Sequence, residues 1–303
     1  MQPFLLTIPT GDAHPIVADW YRPTLLDASA VAHVVVMCHG FKGHRRWGFI
    51  PAVATRLCAA GFGALAIDFS HNGRVPADAG TAHTIGPDAA AATGRYTSPK
   101  MFRANTIARE LADLEAVIAW VRDPVRGGHA LGIAEHAAIG VWGHSRGGAV
   151  ATLATLDDPS IAALVTWSTS AHPDHYTERQ KQVWREKGEL VFTDYATGTR
   201  LAMGVALLDD LEENHDAYAV GTRAVELTTP HLIVHGEHDP TVPVAESYRF
   251  YDTPTIRADK KLLRLLTGHT YAYEEGLESE ALKNALKATV DWFDTYLRPA
   301  PTV

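Results

Sequence analysis

The 303-residue sequence has little cysteine, no long apolar run and no cluster of basic residues, and each absence excludes a class of protein. Its two cysteines, Cys38 and Cys58, are too few for a disulfide-stapled scaffold, and both lie in apolar segments typical of reduced, buried thiols. The longest apolar runs, such as Val34–Cys38, are far shorter than the roughly 18 residues that a membrane span needs. Acidic residues outnumber basic ones by 35 to 27, which argues against nucleic acid or an anionic membrane as a partner.

The first ten residues also lack a targeting signal. They contain no basic stretch followed by an apolar one, which a secretory signal requires. Together with the reduced cysteines, this predicts a cytoplasmic protein. Apolar residues make up 46% of the chain, and glycine (24) and proline (17) are near average, so the composition is that of an ordinary globular protein.

Apolar β-branched segments alternate with helical patterns along most of the chain. This alternation predicts a mostly parallel sheet with helices on both faces. The clearest helical patterns start at Ile107 and Leu282. Eight strands are predicted, at Leu5–Ile8, Ile16–Tyr21, Val31–Cys38, Gly63–Phe69, Ala137–Trp142, Ile161–Trp167, His231–His235 and Lys261–Leu266.

Two segments interrupt the alternation. His71–Lys100 has no periodicity and is rich in glycine, alanine and proline, and its role is left open. Residues 171–230 lie between two predicted core strands, and they are many more than a crossover needs. We therefore predict a core of residues 1–170 and 231–303 with residues 171–230 as an inserted cap, containing a helix at Glu178–Lys187, a hairpin, and one helix from Leu207 to about Val225.

The strongest chemical signal is a predicted strand that runs into Gly143-His144-Ser145-Arg146-Gly147-Gly148 and then into an Ala/Leu-rich helix. G-x-S-x-G between strand and helix is typical of a nucleophile elbow, a tight turn that exposes the serine hydroxyl. The helix N-terminus then stabilises negative charge at the site. The pattern predicts Ser145 as a nucleophile, and the alternative is an ordinary N-cap serine.

A serine nucleophile needs a base that is oriented by an acid. Asp239 lies on the turn after the predicted strand His231–His235, and His269 follows the next predicted strand. On an elbow nucleophile the chain order is serine, acid, histidine, so we predict a triad of Ser145, Asp239 and His269. Glu237 is the alternative acid.

The sixteen histidines also raise the possibility of a metal site. His235 and His238 lie near Asp239, and His172 lies near His175. The three-residue spacing at a strand end places side chains on opposite faces, which is poor ligand geometry. We predict no metal and no cofactor.

The oxyanion of a serine-catalysed reaction also needs donors. The strand Val34–Cys38 ends in His39-Gly40-Phe41, where backbone N–H groups turn toward the carboxyl edge of the sheet. The predicted donors are the backbone N–H groups of Phe41 and Arg146, the residue after the nucleophile. The alternative is that His39-Gly40 only ends the strand.

These motifs together resemble the α/β-hydrolase superfamily, in the same order and over almost the whole chain. Within it the sequence is most similar to small bacterial serine esterases related to cinnamoyl and feruloyl esterases, and to dienelactone-hydrolase-like proteins. The resemblance implies an α/β-hydrolase fold: a mostly parallel eight-stranded sheet flanked by helices, with a small inserted cap. Dienelactone hydrolases use a cysteine nucleophile, whereas this chain has Ser145, and His71–Lys100 is longer than in the esterases.

The expected function is hydrolysis of a small-molecule carboxylic ester through an acyl-enzyme. A thioesterase or C–C hydrolase uses the same triad, and a peptidase of the prolyl-oligopeptidase or acyl-peptide type shares the domain. A non-catalytic binding protein on this fold would typically lack a triad member. The sequence leaves the oligomeric state open, with a homodimer as one option.

Three residues are candidates for contact with the substrate. His144 adjoins the nucleophile, and Trp184 and Leu208 belong to apolar patterns at helical spacing in the predicted cap. Because ligands bind at the carboxyl ends of the strands, a cap that leaves the sheet there would cover the triad. Its apolar residues then either line a substrate pocket or only hold the cap together.

Overall fold

The computed structural model describes residues 2–10, 14–23, 31–74, 96–194, 198–254, 258–273, 276 and 279–298. Its strands are β1 (Phe4–Ile8), β2 (Ile16–Tyr21), β3 (Val31–Cys38), β4 (Gly63–Asp68), β5 (Ile133–His144), β6 (Ala163–Trp167), β7 (Glu189–Asp194), β8 (Thr199–Gly204), β9 (His231–Gly236) and β10 (Lys260–Leu265). Its helices are α1 (Ile50–Ala59), α2 (Pro99–Arg103), α3 (Ile107–Arg122), α4 (His129–Leu131), α5 (Arg146–Asp157), α6 (Glu178–Lys187), α7 (Val205–Glu213), α8 (Val220–Arg223), α9 (Ala245–Tyr251) and α10 (Glu280–Leu297). A π-helical turn (Pro124–Gly128) and a 3₁₀ turn (Ala224–Glu226) are also present.

Eight of the described strands form one sheet in the order β1-β2-β4-β3-β5-β6-β9-β10. The pairs β1–β2 and β2–β4 are antiparallel, and the other neighbouring pairs are parallel. Parallel strands end at one edge of a sheet, so residues that follow β3, β5, β9 and β10 lie along the same edge. The predicted mostly parallel, eight-stranded α/β sheet is confirmed.

Both faces of the sheet are buried at its interior strands. In β3, Val34 and Val36 belong to one apolar cluster with residues of α3 and α5, while Val35 and Met37 belong to a second with residues of α1 and α10. Successive side chains of a strand point to opposite faces, so a continuous apolar run such as Val34–Cys38 fills two cores at once. This is why the interior strands read as uninterrupted apolar segments rather than as alternating ones.

The two clearest predicted helices are present, and each begins at a capping residue. Thr106 Oγ1 accepts a hydrogen bond from Arg109 N at 3.1 Å at the start of α3, and Ser279 Oγ accepts one from Leu282 N at 3.3 Å at the start of α10. Each bond satisfies an amide that the first helical turn leaves without a partner. In the aperiodic segment His71–Lys100, the central residues 75–95 lie outside the described residues.

Residues 171–230 leave the sheet after β6 and return to it at β9, its direct neighbour in the sheet. The segment contains α6, the antiparallel hairpin β7–β8, α7 and α8. The predicted helix from Leu207 to about Val225 is instead interrupted after Glu213. Asn214 Nδ2 donates to the carbonyl of Asp210 at 3.0 Å, and such a side-chain bond competes with continuation of the helix.

Cys38 and Cys58 are both buried and form no disulfide. None of the described helices combines the length and apolar character needed to cross a membrane.

Candidate active site

Ser145 lies at the turn between β5 and α5, in a backbone conformation that side chains rarely adopt. Its φ is 54° and its ψ is −124°, in the left-handed half of the map where a non-glycine residue is strained. The turn is as tight as the motif suggests. A Cβ atom added to Gly143 would lie 2.4 Å from Gly147 O, and one added to Gly147 would lie 2.3 Å from His39 O. The flanking glycines are therefore required by close backbone contact.

Asp239 and His269 are joined directly. His269 Nδ1 donates a hydrogen bond to Asp239 Oδ2 at 2.7 Å, and the Asp239 carboxylate is fully buried while 14% of the His269 side chain is exposed. The other carboxylate oxygen, Oδ1, accepts from the backbone N–H groups of Thr241 and Val242, each at 2.8 Å. With its proton held on Nδ1, neutral His269 has Nε2 as its basic nitrogen.

These bonds also decide the charge of Asp239. Burial alone raises the pKa of its carboxyl group, but the bond from His269 and the two backbone N–H groups outweigh burial and lower that pKa. Asp239 is thus a carboxylate at neutral pH. Glu237, the alternative acid, faces elsewhere and pairs with Arg264 at 3.2 Å.

His144 connects the nucleophile turn to the His269 loop. Its Nε2 donates to the backbone carbonyl of His269 at 3.2 Å, and its ring stacks on Trp47 with centroids 5.3 Å apart. Burial, with His269 nearby, lowers the pKa of His144 well below its usual range, so the imidazole is neutral. Predicted as a substrate contact, His144 instead holds the His269 backbone and does not reach the cavity wall described below. Ser145 itself forms no hydrogen bond with His269 among the described residues.

The loop after β3 approaches the nucleophile closely. A Cβ atom added to Gly40 would lie 3.0 Å from Ser145 Cβ, which places the predicted donor Phe41 beside the elbow. His39 holds this loop against β4: Nδ1 donates to Gly40 O at 2.8 Å, and Nε2 accepts from Phe69 N at 3.2 Å. Burial lowers the pKa of His39, consistent with this neutral tautomer.

A buried ion-pair cluster beneath the same loop was not predicted from the sequence. Arg45 N donates to Asp68 Oδ1 at 2.6 Å, and the Arg45 guanidinium pairs with Asp68 and with Asp19, the latter at 3.1 Å. Arg46 also pairs with Asp19. These bonds anchor the loop to β2 and to the end of β4. The available signal was Asp19, an acidic residue inside a predicted strand, which needs a buried partner.

A cavity of about 840 Å³ opens beside Ser145. Its wall combines residues of the nucleophile turn and of the loop after β3 with many residues of the segment 171–230. Trp184 and Leu208, predicted as pocket residues, are fully buried in the core behind it and do not belong to this wall. The apolar and aromatic part of the wall comprises Phe41, Ile107, Ala149, Pro173, Tyr176, Leu190, Val191, Phe192, Met203, Leu207, Leu211, Val242 and Pro243.

The histidines weighed as metal ligands do not converge. His235 is buried and donates through Nε2 to Val242 O at 2.9 Å, whereas His238 is exposed. His172 donates to His215 O at 2.8 Å, and His175 stacks on Tyr176. In the described part of the chain, no group of three or more His, Cys, Asp or Glu side chains is arranged to hold a metal ion.

A strained serine between a parallel strand and a helix, with an acid and a histidine after two later strands of the same sheet, defines a hydrolase of the α/β-hydrolase fold. The profile of the family described as serine aminopeptidase S33 matches residues 29–216, more than half of the chain, and the protein belongs to this family. No curated protein matches the sequence significantly.

Solved structures share the fold at low identity. Est1E from Butyrivibrio proteoclasticus is 19% identical with a TM-score of 0.61, over 95% of this chain and 99% of Est1E. A dienelactone hydrolase from Anabaena variabilis is 17% identical with a TM-score of 0.58, over 98% and 99%. The mouse α/β-hydrolase domain-containing protein 10 is 15% identical with a TM-score of 0.64, over 96% and 98%. The predicted resemblance to the α/β-hydrolase superfamily is confirmed, and the fold is shared with an esterase-type protein and a dienelactone hydrolase.

Proposed function

We propose that this protein hydrolyses carboxylic esters of small molecules through an acyl-enzyme, with Ser145 as nucleophile, His269 as base and Asp239 as the acid that orients it. The observation that carries this proposal is the bond from His269 Nδ1 to the buried Asp239 carboxylate at 2.7 Å. Ser145 lies on a strained elbow, and its chain neighbour His144 bonds to the His269 carbonyl. Because Nδ1 faces the carboxylate, Nε2 is the ring nitrogen available to take the serine proton.

In the first half-reaction, His269 Nε2 takes the proton of Ser145 Oγ as that oxygen bonds to the ester carbonyl carbon. The carbonyl electron pair moves to oxygen, where the Phe41 and Arg146 backbone N–H groups donate to it. When the carbonyl re-forms, the C–O bond to the alcohol breaks and the alkoxide takes the proton from His269. In the second half-reaction, water gives a proton to His269 and its oxygen bonds to the acyl carbonyl carbon. The bond from that carbon to Ser145 Oγ then breaks, His269 returns the proton to Oγ, and the carboxylic acid leaves.

The charges on the cavity wall favour an ester over a peptide with a free N-terminus. An aminopeptidase needs an unpaired anionic group for the substrate ammonium. Asp174 pairs with Lys181 at 2.6 Å, and Glu246 accepts from Ala171 N at 3.0 Å and pairs with Arg249 at 3.4 Å. Both acidic residues of the wall are therefore occupied, and its remaining surface is mostly apolar.

An activity panel tests this function. We expect p-nitrophenyl esters and hydroxycinnamate esters to be hydrolysed with kcat/KM at least ~10⁴ M⁻¹s⁻¹ for the best of them, within the ordinary enzyme range. Thioesters and aminoacyl anilides serve as the competing classes. Hydroxycinnamates are included because Phe41, Tyr176 and Phe192 offer aromatic contacts, and Est1E has been solved with ferulic acid bound. Faster turnover of aminoacyl anilides or thioesters than of every ester would overturn the proposal.

We further propose that residues 171–230 form a cap that contacts the acyl group and selects among acyl chains. Two adjacent leucines of α7 test this proposal. Leu207 belongs to the cavity wall, whereas Leu208 lies in the core behind it. Leu207→Ala is expected to shift the preference between short and long acyl chains by roughly 10- to 200-fold in ratios of kcat/KM. Acetate, which barely reaches the cap, is affected least. The measurement is kcat/KM for p-nitrophenyl esters of increasing chain length.

Leu208→Ala is the matched control, since both leucines are nearly fully buried, at 2% and 0% exposure. Both substitutions are expected to destabilise the protein by about 2–5 kcal/mol, so thermal melting confirms that each variant is folded at the assay temperature. Leu207→Met, which keeps the volume, serves if the alanine variant does not fold. If both alanine variants changed the dependence of kcat/KM on acyl-chain length equally, the cavity wall would not be what selects the acyl group.

A further inference from the structure

We propose that the Arg146 side chain is a specificity-determining residue that donates hydrogen bonds to an oxygen acceptor within an uncharged acyl group, so that the preferred substrates are esters of keto- or ether-substituted acids. The proposal rests on the ester hydrolysis proposed above and extends it to the chemistry of the acyl group. It concerns the guanidinium, which is separate from the backbone N–H of the same residue.

The Arg146 guanidinium is a donor group with few partners. It lies on the cavity wall beside Ser145, with 11% of the side chain exposed, and its one ion pair is with Glu110 of α3, at 3.1 Å from Nε to Oε2. Nε faces the Glu110 carboxylate, whereas Nη2 is buried and has no hydrogen-bond acceptor among the described residues. A guanidinium carries five N–H donors, and leaving buried donors unsatisfied costs free energy. An oxygen atom of a ligand in the cavity would supply the acceptor that the outer end of the guanidinium lacks.

The surroundings place this group under the predicted cap. The Phe41 ring lies 5.3 Å from the Arg146 guanidinium carbon. Burial, followed by the positive charge of Arg146, lowers the pKa of His175, and His175 and Tyr176 belong to the same wall. The guanidinium is therefore near the wall residues contributed by 171–230 and away from open solvent.

The charge balance decides which acceptor fits. Glu110 offsets the charge of Arg146, and its other oxygen accepts from Asn105 at 2.6 Å. The remaining charged residues of the wall, Asp174, Glu246 and Arg249, also have partners of opposite charge. A substrate carboxylate would bring an uncompensated charge into this mostly apolar cavity, which is unfavourable. A carbonyl or ether oxygen accepts the same hydrogen bonds without that cost.

The reaction geometry assigns the oxygen to the acyl group. The departing alkoxide must face His269, because it takes the proton from that imidazole. His269 does not belong to the cavity wall, whereas Ser145 and Arg146 do. The acyl group, which stays bonded to Ser145, is the part of the substrate that enters the cavity.

The test compares p-nitrophenyl esters whose acyl chain carries a keto oxygen at C4, C5 or C6 with isosteres that carry a methyl group in its place. Each kcat/KM is divided by the hydroxide-catalysed rate of the same ester to remove intrinsic reactivity. We expect the wild-type protein to prefer at least one keto ester over its isostere by roughly 10- to 100-fold, the size of a hydrogen bond to a charged group. Arg146→Met should bring this ratio to about 1. A common loss of activity cancels in the ratio.

Two further variants keep the test decisive. Arg146→Met leaves Glu110 buried without its cation, so the double variant Arg146→Met/Glu110→Gln is measured if the single variant does not fold. Arg185→Met removes an arginine from the outer side of α6, where it pairs with Asp209 and Glu212, and should keep the wild-type ratio.

The outcomes separate this inference from the proposed function. Ester hydrolysis without any keto preference, or with a preference that survives Arg146→Met, would overturn the inference and leave the esterase proposal standing. The mono-p-nitrophenyl ester of adipic acid carries a free carboxylate on its acyl chain. If it were preferred over the keto esters, the inference that the preferred acyl group is uncharged would be wrong. Absence of hydrolysis of every ester, with turnover of another panel class, would refute the proposed function and this inference with it.

Discussion

Replacing Ser145 with alanine is expected to reduce kcat/KM for ester hydrolysis by at least ~10³-fold, as in other enzymes that lose a triad member. The substitution removes the oxygen that forms the acyl-enzyme and leaves the backbone turn in place, since its contacts come from Gly143, Gly147 and Gly40. The stability should change by less than about 1 kcal/mol, as for other small substitutions outside the packed core. Steady-state kinetics, labelling by a fluorophosphonate probe and thermal melting measure the three expectations.

Ser160→Ala is the control for this experiment. Ser160 is an exposed serine that bonds to Asp158 beyond the opposite end of α5, and its variant should label and turn over like the wild-type protein. Persistent fluorophosphonate labelling of the Ser145→Ala variant would identify a different nucleophile and refute the proposed mechanism.

Asp239→Asn is expected to lower kcat by roughly 10⁴-fold, by analogy with other triads. The hydrogen bonds explain why. The backbone N–H groups of Thr241 and Val242 donate to Oδ1 of residue 239, so the oxygen of an asparagine amide would stay there. Its NH₂ group would then face His269 Nδ1, which would have to accept. The imidazole proton would move to Nε2, and the base would no longer be available to Ser145.

Glu237→Gln is the matched control, since it makes the same change of carboxylate to amide two residues earlier. Glu237 pairs with Arg264 at the surface, and an exposed pair of this kind contributes only about 0–1 kcal/mol to stability. Its variant should retain kcat within a few-fold of the wild-type value. If Glu237→Gln were the crippling change and Asp239→Asn mild, the acid of the mechanism would be Glu237.

Much of the candidate site was predictable because its signals are local. The nucleophile motif is contiguous in the chain: a strand before Gly143, two glycines around Ser145 and a helix after it. It can therefore be recognised from the sequence without knowledge of any tertiary contact. Asp239 and His269 each follow a predicted strand, and the parallel sheet brings the ends of β5, β9 and β10 to one edge. The strand pattern thus predicted that Ser145, Asp239 and His269 lie near one another at that edge.

The orientation of residues in the segment 171–230 was not predictable in the same way. Helical spacing grouped Leu207, Leu208 and Leu211 as apolar, but two faces of α7 are buried, one toward the core and one toward the cavity. Trp184 packs inward, with its Nε1 donating to Met203 O at 2.9 Å. Periodicity gives the angle between two residues of a helix and not the direction in which the helix faces.

The sequence by itself determined the fold class, the strand-by-strand placement of Ser145, Asp239 and His269, and the tight nucleophile turn, because these depend on local propensity, spacing and steric limits. The tertiary structure alone decided the pairings of side chains that are distant in the chain: Arg146 with Glu110, Arg45 with Asp68, and His144 with the His269 carbonyl. Such pairs form because packing buries polar groups together and each must then find a partner. Which partner is nearest depends on how the helices, loops and sheet are packed, and a linear pattern does not contain that information.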